Sequence, residues 1–253
     1  MGGADLTGKA VLVTGGSSGI GLATVEWFAR AGATVALNYR PDSTRGAEAV
    51  ARLQAEGWNV IDAPGDVSAA GEAERMVEDA IGRLGGLDVL VNNAGTPGTD
   101  QPIDLSNFDA ITEPFWQNVL STNLIGPFRC TRAAADALKA RHGSIVNTAS
   151  VSGLNVVGSS IAYGAGKAGL INLTRNLARA LAPDVRVNAV APGLVDSPWT
   201  AGWREDRKTS VVERTPLRRM CTPDDIAAAI LFLAVEGSMI TGQTLVVDGG
   251  LSL

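Results

Sequence analysis

The sequence predicts one doubly wound α/β domain over residues 1–253, a parallel sheet of about seven strands with helices on both faces. Three observations carry this. Short apolar runs alternate with longer stretches of helical period. The runs are apolar throughout rather than at every second residue. A glycine-rich turn joins the first run to the first helix. Strands apolar on both sides are buried on both faces, and strands separated by helices pair in parallel through right-handed crossovers. With 253 residues, 45% of them apolar, the chain can bury such a sheet in a sizeable core.

The elements follow in order. Residues 10–13 read as the first strand, and residues 21–31 as a helix with apolar positions at 22, 25, 28 and 29. Strand 33–37, helix 44–56, strand 60–61, helix 69–84 and strand 87–91 continue the alternation. A long helix is expected near 115–140, then strand 144–147, helix 161–182, strand 185–190, helix 224–235 and a last strand at 244–247. Two stretches read as irregular, 96–108 and 193–214. Both follow strands, so both are expected at the crevice where open α/β sheets bind ligands. The second is the expected substrate loop. It carries Trp199 and Trp203, two of the five tryptophans, which either pack under a lid or line an apolar pocket.

Composition excludes other classes. The net charge of −5 speaks against a nucleic-acid binder. The longest apolar run, residues 226–235, is half the roughly twenty residues that a membrane span needs. Residues 1–5 show neither the basic start nor the apolar core of a secretory signal, so a cytoplasmic location is expected. One histidine, His142, and two cysteines, Cys130 and Cys221, cannot make a His/Cys zinc site, and no metal is expected. His142 precedes Gly143 and is expected to end a helix; the cysteines are expected to be free buried thiols. The chemistry must come from Ser, Tyr, Lys, Asn or carboxylates.

The turn Thr14-Gly15-Gly16-Ser17-Ser18-Gly19-Ile20-Gly21 lies between the first strand and first helix. Glycines permit a tight turn and close approach of the backbone to a pyrophosphate, and the helix start offers free N–H groups and the positive end of its dipole. Tyr163 has Lys167 at i+4, although the chain holds only two tyrosines and four lysines. Residues so spaced share a helix face. The ammonium is expected to lower the phenol pKa from about 10 toward working pH, making Tyr163 a proton carrier. Ser150 follows strand 144–147, where its hydroxyl can donate to a substrate oxygen. Ser152 is its competitor two residues on. Asn123 stands inside a helical pattern, where asparagine is mildly unfavourable.

The spacing of Gly15, Gly19 and Gly21 resembles the T-G-x-x-x-G-I-G turn of the short-chain dehydrogenase/reductase family, a Rossmann-fold family. The resemblance runs along residues 7–253. Asn92-Asn93-Ala94-Gly95 matches N-N-A-G, Tyr163-Gly164-Ala165-Gly166-Lys167 matches Y-x-x-x-K, and Ser150 stands thirteen residues before the tyrosine. Pro192-Gly193 matches the P-G turn and Asp248-Gly249-Gly250 the terminal D-G-G. Within the family the chain resembles the branch of 3-oxoacyl-carrier-protein reductases and glucose dehydrogenases. The resemblance implies an oxidoreductase that moves a hydride between a nicotinamide and a carbonyl or secondary alcohol. Its catalytic residues would be Asn123, Ser150, Tyr163 and Lys167, with Asn123 holding a water in a proton relay to the lysine. The implied cofactor contacts are Gly15, Ser17, Ser18, Gly19, Ile20, Gly21, Asn38, Tyr39, Arg40, Asp66, Val67, Asn93, Ala94, Gly95, Tyr163, Lys167, Pro192, Gly193, Val195 and Ser197. Ser152, Leu154, Trp199 and Trp203 are expected around the substrate.

NAD-binding forms place an acid after the second strand, but here Asn38-Tyr39-Arg40 stands there and Asp42 is the first acid. A guanidinium can hold a 2′-phosphate bidentately, so NADP(H) is favoured, with NAD(H) as the second choice. The expected partners are a small carbonyl or alcohol substrate and further copies of the chain in a homotetramer, with no nucleic acid or membrane. A 3-oxoacyl-carrier-protein reductase is the alternative: Arg141 and Arg179 offer a basic surface for an acidic carrier, but Asp184 and the net charge of −5 weaken it. A non-catalytic dinucleotide sensor is a remote second alternative. Such chains typically lose the tyrosine or lysine, and both are here.

Overall fold

In a computed structural model, which describes residues 5–253, the strands β1 (Ala10–Val13), β2 (Thr34–Tyr39), β3 (Val60–Pro64), β4 (Val89–Asn92), β5 (Ser144–Thr148), β6 (Arg186–Pro192) and β7 (Thr244–Val247) form one sheet. All pairs are parallel, in the order β3-β2-β1-β4-β5-β6-β7. The start of the chain, read above for a signal, lies outside the described residues.

The inner strands divide their side chains between two cores. Val11 and Val13, Val35 and Leu37, and Val89 and Val91 point to one face. There they meet Phe28 of α1 (Gly19–Arg30), Leu53 of α2 (Thr44–Ala55) and Ile226 and Ile230 of α9 (Pro223–Leu231). Leu12, Ala36, Leu90 and Ile145 point to the other, against Val77 of α3 (Glu72–Leu84), Leu138 of α5 (Gly126–Ala140) and Leu177 of α6 (Ile161–Leu181). This is the period-2 alternation of a strand with apolar layers on both sides, and each such side chain contributes about 1.5–3 kcal/mol on burial.

The strand order reverses direction between β1 and β4, because β2 and β3 extend one way and β5 to β7 the other. Val13 pairs with both Leu37 and Val91, so the turns after β1, β2 and β4 leave the sheet together. That opening is where this topology binds ligands.

The structure departs from the sequence reading in several places, among them the helix expected over 224–235, which is α9 and then a π-turn over Phe232–Glu236. The long helix near 115–140 is α4 (Glu113–Leu120), a wider π-turn over Ser121–Ile125, and α5. Pro127 has no N–H to give the Asn123 carbonyl four residues back, so the α register cannot pass through this point. The stretch at 193–214 is not irregular: it folds α7 (Pro198–Ala201) and α8 (Glu205–Arg214). The helix expected from 69 begins at Glu72, after Gly71 at positive φ. Cys130 and Cys221 are free and buried. His142 lies just beyond α5, exposed, with Nδ1 3.6 Å from Asp184.

Candidate active site

The turn after β1 is built by its neighbours. The Gly15 N–H donates to Asn38 Oδ1 at 3.1 Å, and Asn93 Nδ2 donates to the carbonyls of Thr14 and Gly15. Thr14 Oγ1 accepts the N–H groups of Asn93 and Ala94, both at 3.0 Å. The two glycines needed most are Gly15, at φ +63° with Ala94 Cα 2.8 Å from where a Cβ would stand, and Gly21, whose Cβ would lie 2.1 Å from the Gly15 carbonyl oxygen. Helix α1 starts beyond this turn with no side-chain cap and no acid in its first turn. Its first N–H groups therefore face the opening without an anionic competitor, which suits a phosphate.

The opening continues into a cavity of about 1660 Å³. Ligand sites for one drug-sized molecule run to about 1,000 Å³, so this one has room for a dinucleotide with a substrate beside it. Every implied cofactor position from Gly15 to Ser197 lines it, as do Ser150, Ser152, Trp199 and Trp203. Asn38 and Asn93 line it, but their side-chain hydrogen bonds go largely to protein: Asn38 Nδ2 donates to Ala63 and Gly65 carbonyls. They shape the turn more than they offer it bonds. Leu154 is misplaced in the sequence reading. The single turn Val151–Gly153 ends before it, and its half-exposed side chain lies in a separate groove beside β7, while Asn155 to Val157 line the cavity.

The second group of residues comes from the ends of β5 and α6. Ser160 caps α6, its Oγ accepting the Tyr163 N–H at 3.0 Å, which fixes Tyr163 in the first turn and Lys167 one turn on. The Ser150 hydroxyl stands near enough to the Tyr163 hydroxyl to favour its ionised form. Ser150 Oγ also accepts the Ser152 N–H at 3.1 Å. Lys167 is buried, donates to the Thr148 carbonyl at 2.7 Å, and holds its Nζ 5.6 Å from the Tyr163 ring centre. Trp199 of α7 stands edge-on to Tyr163 at 5.9 Å.

The expected lowering of the Tyr163 pKa is not found. Burial pushes the phenol up to about 12, against the pull of the Ser150 hydroxyl. Burial likewise brings Lys167 down to about 8. Desolvation outweighs attraction here because the ammonium is spent on Thr148 rather than on the phenol oxygen. Tyr163 is therefore a phenol throughout the neutral range, in the form that donates a proton.

Asn123 does not line the cavity. Its side chain is wholly buried, donates to the carbonyls of Thr96 and Val119, and accepts the Thr96 N–H at 3.0 Å. The amide is thus used to pin the 96–108 loop to the π-turn. What it leaves free of an α-helical partner is the main-chain carbonyl, opposite Pro127.

Sequence reasoning missed the residues of α8. Arg207, Ser210, Val211 and Arg214 line the substrate end, and Gln101 of the facing loop donates to the Gly202 carbonyl at 2.6 Å, bridging the two loops over it. The signals were present: Ser197-Pro198 is a cap with proline at the first helical position, and Glu205-Asp206 are the acids of a first turn. Arg45, at the cofactor end, was also missed.

The whole arrangement recurs in known proteins. A family model described as enoyl-(acyl carrier protein) reductase matches residues 15–252. A crystal structure from Burkholderia xenovorans, provisionally assigned as a short-chain dehydrogenase/reductase, superposes with a TM-score of 0.86 at 36% identity, over 96% of this chain and 97% of that one. The chain belongs to the short-chain dehydrogenase/reductase family. Its sheet and helices are those of this oxidoreductase family, whose relatives of this type use NAD(P)H. Among curated relatives, the 3-oxoacyl-(acyl-carrier-protein) reductase of Chlamydia pneumoniae is 38% identical over 98% of both chains. That of a Synechocystis strain is 36% identical over 97% of this chain and 98% of its own. Among the described residues no cluster of His, Cys, Asp and Glu fits a metal ion, and no helix is long and apolar enough to cross a membrane.

Proposed function

We propose that the protein is an NADP(H)-dependent oxidoreductase of the cytoplasm that interconverts a carbonyl and a secondary alcohol in a small molecule, with Tyr163 as general acid and base. The observation that supports this best is the meeting of Ser150, Tyr163 and Lys167 in the cavity that begins at the Gly15–Gly21 turn. When bound, the nicotinamide supplies or takes the hydride. Tyr163 gives its proton to the carbonyl oxygen, and Ser150 donates to the same oxygen as charge grows on it. Lys167, in its ammonium form, stabilises the phenolate left behind and links it to solvent. The main-chain carbonyl of Asn123, which Pro127 leaves without its α-helical donor, holds the water of that link, a role its side chain is too committed to fill. A screen of ketones and aldehydes following NADPH absorbance tests the reading; no consumption over a broad panel would count against it.

The preference for NADP(H) rests on Arg40, which is exposed and paired with Asp42 at 2.7 Å, and on Arg45 nearby. An exposed pair of this kind is worth about 0–1 kcal/mol, and a charge-assisted bond to a phosphate about 1.5–3, so a 2′-phosphate displaces Asp42. Arg40→Asp should weaken NADP binding by at least about tenfold and strengthen NAD binding, and the NADP effect should shrink as salt rises. Dissociation constants for both nucleotides at two ionic strengths check this; an unchanged NADP/NAD ratio would reduce Arg40 to a solvated loop residue.

The names of the relatives favour a second reading, reduction of a 3-oxoacyl group on a carrier protein. Against it, Arg141 is not free to dock a carrier: it donates to the Gly85 carbonyl and lies 3.9 Å from Asp88. Comparing turnover of a carrier-bound and a free 3-oxoacyl thioester decides between them. A homotetramer completes the proposal, supported by exposed Ile125 in the π-turn and Phe128 in α5 and by Leu245 and Val246 on the uncovered edge strand β7. Light scattering should give a tetramer's mass at micromolar concentration, and a stable monomer would remove it.

A further inference from the structure

Helix α8 walls the substrate end of the cavity with one face: Arg207, Ser210, Val211 and Arg214 stand at i, i+3, i+4 and i+7. Most cations around them are matched. Arg204 holds Asp206 with two nitrogens, Lys208 holds Glu205, and Arg219 holds Asp225. Among the described residues no carboxylate lies within ion-pair distance of Arg207 or Arg214. Arg214 spends only Nε, on the Ser210 carbonyl at 3.2 Å. Arg207 is half-buried and lies over the Trp203 ring at 5.6 Å, with no hydrogen bond from its guanidinium. Desolvation, and then the charge of Arg214, pull its pKa down.

A solvated helix face explains an exposed arginine such as Arg214. It does not explain a half-buried guanidinium turned into a cavity beside a second one, at a cost in desolvation and repulsion. Stacking on Trp203 accounts for where the plane of Arg207 lies, but leaves its donors unused. Guanidiniums so placed match a planar or tetrahedral oxyanion through paired N–H···O bonds.

We propose that Arg207 and Arg214 form an anion clamp for the substrate, so that the carbonyl compound reduced at Tyr163 carries a carboxylate or phosphate at its far end, past Trp199 and Trp203. This rests on the carbonyl–alcohol reading and narrows it to anionic oxo compounds and the matching hydroxy compounds. The clamp fixes the end of the substrate remote from the chemistry. Its loss should therefore act on discrimination between charged and neutral substrates.

The test uses three aryl ketones that differ only at that end: 4-acetylbenzoate, its methyl ester, and 4-acetylphenyl phosphate. The wild-type kcat/KM for at least one anion should exceed that for the ester by about tenfold or more. Whichever anion leads identifies the source of the charge. In Arg207→Gln the anion-to-ester ratio should collapse, and Arg207→Lys should restore part of it. Arg204→Gln, on a residue already paired with Asp206, should leave the ratio as it was. Equal rates for all three in the wild type, or a ratio that survives in the Arg207→Gln/Arg214→Gln double variant, would overturn the clamp. Calorimetric binding of the three in the presence of NADP separates it from the reading beneath it. An anion preference lost in Arg207→Gln without turnover keeps the clamp and removes the oxidoreductase reading. Equal binding, or no binding, overturns the clamp.

Discussion

Tyr163→Phe is expected to lower turnover by about 10²–10⁴ while leaving cofactor affinity within a few-fold of the wild type. The ring still packs edge-on against Trp199, and Ser160 still caps α6 through the main chain, so the fold around the site has no reason to change. What disappears is the hydroxyl beside Ser150. With the phenol held up near 12, wild-type Tyr163 is fully protonated at neutral pH, and the variant has no other group at that place to deliver a proton. Steady-state rates together with NADPH binding check this. Near-normal turnover in a folded Tyr163→Phe protein would move the acid elsewhere.

The second large effect is at Lys167. Lys167→Ala should depress kcat and also weaken cofactor binding, because the ammonium serves the phenolate and lines the same cavity as the glycine turn. The same lysine sets the pH dependence. Its pKa in the fold is about 8, against an ordinary 10.5. The ammonium form is needed for reduction, so wild-type reductive kcat/KM should fall above about pH 8. The stability consequence has the opposite sign. Between the two values the unfolded chain binds the proton more tightly than the fold does, so stability rises as pH climbs through that window. At pH 7 the buried ammonium costs about 3 kcal/mol before its bond to Thr148 offsets part of that. Lys167→Met should therefore melt at a higher temperature than the wild type at pH 7, with the gap closing as pH rises toward 10.5. A gap that does not change with pH would mean that the lysine is not held as a strained cation.

What the sequence makes legible is what backbone geometry and spacing demand. The Gly15–Gly21 turn tolerates almost nothing else where a Cβ on Gly21 would stand 2.1 Å from the Gly15 carbonyl oxygen, so it shows as glycine. The pair Tyr163 and Lys167 shows because one helix turn must bring them to one face. Less visible is anything set by burial or register. Pro127 marks the π-turn, but apolar periodicity runs through 115–140 without a break and hides it. Leu154 follows Ser152 closely, yet a single tight turn between them sends their side chains to different grooves. The charged run Arg204 to Lys208 reads like a loop, although its acids are the first turn of α8, and so the cavity-facing arginines escaped notice. The Tyr163 pKa went the wrong way because neighbours in sequence reveal attraction and not desolvation.

The most direct measurement follows the label. The protein is incubated with a reducible ketone and NADPH carrying deuterium at the transferable position of the nicotinamide, and the product is examined by mass spectrometry. The account predicts a secondary alcohol with one deuterium on the former carbonyl carbon, formed by the wild type and nearly lost in Tyr163→Phe. Alcohol without deuterium, or labelled alcohol formed equally well by Tyr163→Phe, would contradict it.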